Sequence, residues 1–462
     1  MGSRQQRWPE RLESTSNEMT EKEYLVVGSG ISGLSAAILL ARKGCAVRVW
    51  DESDEVGGLL APVAFRGIPC DRGSHRVHPE SHPLLQELTV SSDWTEQSRQ
   101  GLLRIGGRNI PYPITARKFL RGLGVRTSMS MAWGFMTRPN RIIQFRQWEK
   151  ERSEAMVEDI GFQEFVEQRV GLSAYEKFYK PYVQKVWGLD PSQISKTVAK
   201  QRVSTSNPLS TLKKSLTGTN KVERKFLYPK DGLGSMIQQM RNEALELGVQ
   251  FDWSTKFEAQ NDSSKYEAVL YSGHLEDIVP DFDLGHRGIY LLHIAYKKGI
   301  VPQNDTWYVP ETKYWFGRVS QPSRFSKSLE SQECEILCVE IPEGTWGQSK
   351  DFISVIDTIT EQLLDVGILT EYSEPLEVKQ TWIPKVYPMY TRGWVNLWKD
   401  ALKKTAELGS IYPIGRQGLF LHCNMDHCVH IASEAIQHVL QNGTPKEWSE
   451  KCLEFVDVRV RD

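Results

Sequence analysis

Apolar positions along this 462-residue chain recur at both helical and strand spacing. Tyr24 to Val27 is a short apolar run of strand character. Leu34, Ala37, Ile38 and Ala41 then recur at helical spacing, Gly44 can close that helix, and Ala46 to Trp50 reads as a second strand. The same grammar returns at residues 235 to 247, a helix ended by Gly248 and followed by a strand from Val249 to Trp253; Val269 to Gly273 reads as a third strand of that unit. Between these stretches, residues 125 to 205 carry helical spacing with many aromatic residues, among them Trp133, Phe145, Trp148, Tyr182 and Trp187. They predict a helical cap whose rings mostly pack helix on helix. Gly101 to Pro113 predicts a hairpin. Arg287 to Lys297, Thr306 to Val309, Tyr314 to Val319 and Glu335 to Ile341 alternate with partial period two and predict an antiparallel sheet. Asp351 to Leu364 predicts a helix, Val378 to Tyr390 an extended return, and a last helix reaches Leu440.

Three glycines give the first strand-helix junction a chemical meaning. Gly28, Gly30 and Gly33 have G-x-G-x-x-G spacing: the first permits the turn, the second lets backbone amides approach a pyrophosphate, and the third lets the helix lie close to the strand. Asp51, 18 residues after the third glycine, ends the second strand, where an acid can accept hydrogen bonds from an adenosine ribose. A dinucleotide is therefore expected.

Composition excludes several other classes. Hydrophobic residues at 40% and charged residues at 25% are ordinary globular values, with length for two or three domains. With 57 basic and 58 acidic residues and no long basic run, neither nucleic acid nor an anionic membrane surface is an expected partner, and no stable membrane insertion is expected. Seven scattered cysteines without a C-x-x-C pair fit reduced thiols in a cytoplasmic compartment. Met1 to Thr20 is polar, lacks the apolar centre of a signal peptide and reads as a disordered tail. His422, His427 and His430 have no supporting carboxylate set, so no metal site is expected.

Beyond Asp51 stand Gly57-Gly58 and then Asp71-Arg72-Gly73-Ser74-His75, which a nicotinamide-binding unit does not require. Here the chain resembles the superfamily of flavin-dependent amine oxidases, protoporphyrinogen oxidases and UDP-galactopyranose mutases. The resemblance implies FAD. It would be held by Gly28, Gly30, Ile31, Ser32 and Gly33 at the pyrophosphate, by Asp51 and Glu52 at the ribose, and by Gly57, Gly58, Leu59, Gly73 and Ser74 on the way to the ring. His75 would then stand near the ring, where an imidazole orients substrate or accepts a proton. Gly415-Arg416 with Asn424-Met425-Asp426 resembles the closing GR…DMD segment of the mutase. It implies a second pyrophosphate contact from Gly415 and Arg416, and a final helix whose first residues, Met425 and Asp426, face the flavin.

The middle of the chain resembles the same relatives more loosely. Lys185-Val186-Trp187-Gly188 resembles the mutase K-x-W-G element and implies that Trp187 and the following Arg202 face substrate, although Ser206 stands where the mutase has a second arginine. Trp307-Tyr308, Arg318 and Ser326 fit a pattern of the desaturase-like and mutase-like relatives, with Trp307 at the substrate. Arg287 matches a position at which the mutase places an arginine on substrate phosphate, and Tyr387-Pro388-Met389-Tyr390 resembles the Y-P-x-Y element that precedes the last helix pair in these relatives, whose rings either flank the flavin or pack the domain joint.

These readings predict an α/β protein. A Rossmann-like FAD-binding domain is assembled from discontinuous segments (residues 21–90, 222–280 and 375–443). An α+β substrate domain (91–221 and 281–374) combines the helical cap with the antiparallel sheet, and a tail (1–20) and a C-terminal extension (444–462) flank the two. The expected function is oxidation of a small organic substrate by hydride transfer to flavin N5, with His75, Arg287 and Tyr390 as catalytic residues. A non-redox mutase-like sugar isomerase using reduced FAD is one alternative, and a non-catalytic FAD-binding protein is another.

Overall fold

The computed structural model describes residues 23–112, 122, 125–136, 160–202, 225–346, 351–458 and 460. The expected tail lies outside them, as do Phe145, Trp148 and Ser206 of the cap, and of Arg202 only the backbone is described.

Tyr24 to Val27 are all buried, as befits a strand covered on both faces. This strand, Glu23–Val27, is the centre of a five-stranded parallel sheet ordered Ile411–Pro413, Ala268–Tyr271, Glu23–Val27, Ala46–Trp50, Gln250–Asp252. The chain runs outwards from the first strand in one direction and later returns to its other side. Its C-terminal end is thus the switch point where an open parallel sheet leaves a crevice for a ligand. The helices Ile31–Ala41 and Met425–Leu440 pack along one another beside it.

The second sheet has seven strands ordered Glu377–Pro388, His286–Lys297, Cys334–Pro342, Arg318–Ser320, Thr306–Tyr308, Gly101–Ile105, Arg108–Tyr112. Pairing is antiparallel except between Thr306–Tyr308 and Gly101–Ile105. One face buries Leu292, Ile294, Val339 and Ile341 against Ile359 and Leu363 of the helix Ile356–Val366. The strand expected over Tyr314 to Val319 is only Arg318–Ser320. Gly317 N–H instead bonds the Glu340 carbonyl and Val309 N–H bonds the Gly317 carbonyl, which bends the chain before the ladder begins. Segment 375–443 opens with a strand of this second sheet, so the return from Glu377 to Pro388 carries the sheet to the mouth of the crevice.

The described cap includes Val125–Met136, Phe162–Val170, Lys180–Trp187 and Lys196–Arg202. Lys185 clamps it to the second sheet: its buried Nζ donates to the Val309 carbonyl at 2.8 Å and the Phe316 carbonyl at 2.9 Å, and burial pulls its pKa down to about 7. The lysine of K-x-W-G is thus structural. Among the described residues no helix is long and apolar enough to cross a membrane.

Trp448, in the helix Pro445–Lys451, is fully buried and donates Nε1–H to the Pro413 carbonyl at 2.9 Å, fastening the C-terminal extension to the parallel sheet. Trp448→Ala should destabilise the protein by about 3–5 kcal/mol, read in denaturant unfolding. A change within the range of a surface substitution would show that the extension is not part of the core.

Candidate functional site

The crevice begins at the first turn. Gly28 has φ +95°, and a Cβ on Gly33 would fall 1.8 Å from the Gly28 carbonyl oxygen, so glycine alone lets this helix start so close to its strand. The helix Ile31–Ala41 starts at Gly30 without a side-chain cap, leaving its first amides for an anion. A Cβ on Gly30 would meet nothing nearer than the Gly57 carbonyl oxygen at 3.8 Å, so that space is kept for a ligand rather than for packing. Ile31 and Ser32 line the crevice, as do Asp51, Glu52, Gly57, Gly58 and Leu59. The Asp51 carboxylate accepts from Ser29 N–H and Oγ–H, both at 2.6 Å, and from Ser53 N–H at 2.9 Å, which fixes it at the strand end.

Across the crevice stands Arg416. Its guanidinium donates to the Val386 carbonyl at 2.6 Å and the Cys423 carbonyl at 3.3 Å, while its Nε is buried without a partner. No carboxylate among the described residues pairs with it, so a half-buried positive charge faces the uncapped helix without an ion-pair partner among them. Both features fit the pyrophosphate of a dinucleotide.

Four expected cofactor residues act one step removed. Gly33 packs helix on strand without lining the crevice. Gly415 has φ +70° and its Cβ would lie 2.0 Å from Ser32 Oγ, so it lets the two loops touch and does not itself line the crevice. Gly73 (φ +96°) turns the chain so that Ser74 N–H reaches Glu340 Oε1 at 3.1 Å, and Ser74 lines the crevice. Asp426 accepts from His82 N–H at 3.0 Å and holds a neighbouring loop; Asn424, Met425 and Cys428 present the helix end to the crevice instead.

The far end of the crevice is formed by His75, Arg76, Tyr308, Arg318, Glu340 and Tyr387. His75 gives Nε2–H to the Arg72 carbonyl at 3.0 Å, and burial pushes its pKa down to about 4, so it is a neutral imidazole and a weak base. The two arginines are compensated. Arg318 Nε lies 2.7 Å from Glu340 Oε1, and Arg76 lies 2.9 Å from Asp305 and 3.2 Å from the Tyr308 hydroxyl. Among these residues only His75 was expected as a catalytic group. Glu340 was legible as an acid inside the apolar run Cys334 to Pro342, and Arg76 as the residue after D-x-G-x-H.

Two other expectations are corrected. The Tyr390 hydroxyl donates to the Phe420 carbonyl at 3.1 Å, accepts from His422 N–H at 2.6 Å, and its ring stacks on Trp394 at 4.0 Å, outside the crevice: it is a core residue, not a catalytic one. Trp307 is 1% exposed in the core of the second sheet and cannot meet substrate.

Arg287 and Trp187 line a second cavity with Gly188 and Met389, not the crevice itself. Arg287 pairs across the sheet with Tyr387, and the Trp187 and Tyr387 rings lie 6.1 Å apart, so the second cavity adjoins the first. Gly188 (φ +67°) is needed because its Cβ would overlap the Arg287 guanidinium.

The three helix-end histidines do not converge on a metal. His427 caps its helix through Nδ1, which accepts from Asn424 N–H at 3.2 Å, and His430 stacks on His82 at 4.6 Å. Elsewhere, His274, Glu276 and His286 bring possible ligand atoms within 4.8 Å of one another, but the Lys385 ammonium stands 3.2 Å from Glu276 Oε1 and already neutralises it.

Gly30→Val should fold and lack flavin absorbance, because the added side chain enters ligand space and not the core. Full flavin content in the folded variant would contradict the assignment of the crevice. Asp71 behind the crevice is buried; the Tyr228 hydroxyl donates to it at 2.6 Å, and burial raises its pKa from 3.8 to about 7. The unfolded chain then releases this proton first, so wild-type stability should fall as pH rises between those two values. Asp71→Asn, which keeps an acceptor for Tyr228, should flatten that slope in denaturant unfolding; an unchanged slope would refute the buried proton.

Residues 31–261, half of the chain, match the family model described as flavin containing amine oxidoreductase, and residues 177–365 match that of UDP-galactopyranose mutase. The dTDP-fucopyranose mutase of Escherichia coli is 22% identical over 91% of this chain and 99% of that protein. A Klebsiella pneumoniae protein described as a probable UDP-galactopyranose mutase is 23% identical over 56% of this chain, which spans 62% of that protein's length. In three dimensions, reduced UDP-galactopyranose mutase superposes with a TM-score of 0.78 at 20% identity, covering 95% of this chain and 99% of that one. Putrescine oxidase bound to putrescine superposes with a TM-score of 0.61 at 13% identity, covering 91% and 99%; both likenesses are of fold. With the uncapped helix, the unpaired Arg416 and the glycine-lined crevice, the chain belongs to the flavin-containing amine oxidoreductase family, and FAD is its cofactor.

Proposed function

We propose that this protein is an isomerase of the mutase kind, rearranging a sugar nucleoside diphosphate with no net oxidation. The observation that carries the reading is Arg287: its guanidinium donates to the Glu343 carbonyl, its Nε is buried without a partner, and the Glu343 carboxylate, which favours its charge, forms no ion pair with it. It sits against Gly188 at the end of the cap helix, in the cavity that adjoins the flavin crevice. An unpaired guanidinium repels an alkylammonium substrate and suits a diphosphate, which it can grip through two parallel hydrogen bonds. The Trp187 ring lines the cavity beside it, 6.1 Å from the Tyr387 ring of the crevice, and the two offer apolar surface for a sugar or base. The mutase relatives from E. coli and K. pneumoniae, and the mutase family match that begins at residue 177, support the same reading.

Reduced FAD, when bound, supplies the nucleophilic ring nitrogen such a reaction uses and ends unchanged. The chain's own part is placement. The uncapped Ile31–Ala41 helix and Arg416 hold the cofactor phosphates, and the balanced pairs Arg76–Asp305 and Arg318–Glu340 close the far end without net charge. His75, anchored through Nε2, turns a neutral ring towards substrate hydroxyls and orients them rather than taking a proton. A cytoplasmic location, proposed on the seven free cysteines, would provide the reducing conditions.

Hydride oxidation of a small substrate is the rival. Oxidised holoprotein mixed without oxygen with a sugar nucleoside diphosphate should keep its visible absorbance, and dithionite-reduced holoprotein should convert that substrate into an isomer of equal mass. Bleaching of the oxidised flavin by substrate would instead establish the oxidase. Arg287→Ala should raise the substrate KM about ten- to a hundredfold, the worth of a charged hydrogen bond, with Arg287→Lys losing less. An unchanged KM would remove Arg287 from the substrate site.

A further inference from the structure

Two cysteines in the wall of the crevice have no part in the reaction above. Cys423 immediately precedes the cap residue of the 16-residue helix Met425–Leu440, and Cys428 stands in its first turn. Both are buried and both line the crevice, with their Sγ atoms 3.5 Å apart. The surroundings distinguish Cys428 from the other thiols, including Cys423, whose hydrogen bond with Cys428 and burial push its pKa up. The Cys423 carbonyl receives the Arg416 guanidinium, so the unpaired positive charge of the crevice lies against the pair. The Cys423 thiol, the Ser32 hydroxyl and Arg416 together hold the Cys428 thiol below its ordinary pKa against the pull of burial, and the helix N-terminus adds to this. Burial instead pushes the thiols of Cys45, Cys70, Cys338 and Cys452 up.

We propose that Cys423 and Cys428 form a redox-active dithiol that closes reversibly to a disulfide in the wall of the flavin crevice. Bonded sulfurs stand about 2.05 Å apart, so closure needs a shift of about 1.5 Å, which Cys423 can supply because it lies outside the helix. The Cys428 thiolate attacks one sulfur of a small external disulfide, whose S–S bond breaks and whose departing thiolate takes up a proton. Cys423 then loses its proton and attacks Cys428 Sγ in the mixed disulfide, expelling the second external thiolate, which is protonated in turn. Two protein thiols are oxidised and one external disulfide is reduced to two thiols. The bridge removes the Cys428 thiol that bonds Ser32, in the turn that faces the cofactor phosphates, and moves Cys423, whose carbonyl holds Arg416, so the oxidised protein holds its flavin less firmly. This coupling acts on cofactor retention and stands whether the reaction is an isomerisation or an oxidation.

The test uses holoprotein incubated with 2-hydroxyethyl disulfide, then alkylated and digested with trypsin. No Lys or Arg lies between Arg416 and Lys446, so both cysteines, and no other, fall in one peptide. The expected result is that peptide lighter by two hydrogen atoms and closed to alkylation until dithiothreitol is added, with flavin leaving the oxidised protein faster than the reduced. Cys423→Ser and Cys428→Ser should lose the mass change and the faster release together. Two alkylated thiols in that peptide after oxidation of Cys45, or only mixed disulfides with the reagent, would overturn the proposal. A bridge without faster flavin release would overturn its link to the cofactor. The wild-type peptide mass decides the first point even if a variant fails to fold.

Discussion

The arrangement of this molecule depends on close contact between two turns, one after the first strand and one after the last, that lie far apart in sequence. A Cβ on Gly415 would stand 2.0 Å from Ser32 Oγ, and a Cβ on Gly33 1.8 Å from the Gly28 carbonyl oxygen. The parallel sheet makes this meeting unavoidable, because Glu23–Val27, Ala268–Tyr271 and Ile411–Pro413 end side by side. Once the turns touch, the uncapped start of one helix and the Arg416 guanidinium face the same narrow space. The second sheet follows from that arrangement: its longest strands lead to the open end of the crevice, where Tyr387 meets Trp187 of the cap.

Much of this was legible because glycine spacing and apolar period are local properties. The junction at Gly28, the helices Gly232–Glu246 and Met425–Leu440 and most strands of both sheets stand within a few residues of where the sequence places them. The misassigned residues share a different physics, since their roles depend on which face meets which neighbour. Trp307 and Tyr308 are adjacent in one strand and therefore point to opposite faces: the tryptophan enters the core and the tyrosine the crevice. Tyr390 and Tyr387 belong to one motif, yet only Tyr387 is on the strand that reaches the crevice. Gly73, Gly415 and Asp426 are in the right turns but serve the turns' own packing. No spacing rule carries that information.

The arginines near the site divide into two kinds, and the division bears most on chemistry. Arg76 and Arg318 are paired with Asp305 and Glu340 and contribute shape with little net field. Arg416 and Arg287 are in no ion pair among the described residues: Arg416 bonds to the Val386 and Cys423 carbonyls, and Arg287 to the Glu343 carbonyl with that residue's carboxylate beyond ion-pair distance. Leaving a charge buried and unpaired is destabilising by several kcal/mol, so each such site is a place where an anion restores the balance. The cofactor phosphates answer Arg416. On the proposed function, the substrate diphosphate answers Arg287.

That demand is measured most directly by ligand binding to the oxidised holoprotein, followed through the flavin spectrum at low and high salt. The account predicts that a nucleoside diphosphate perturbs the spectrum saturably, that the effect weakens with salt, and that an aliphatic diamine such as putrescine leaves the flavin untouched. Bleaching by the diamine, with no response to the nucleoside diphosphate, would contradict it.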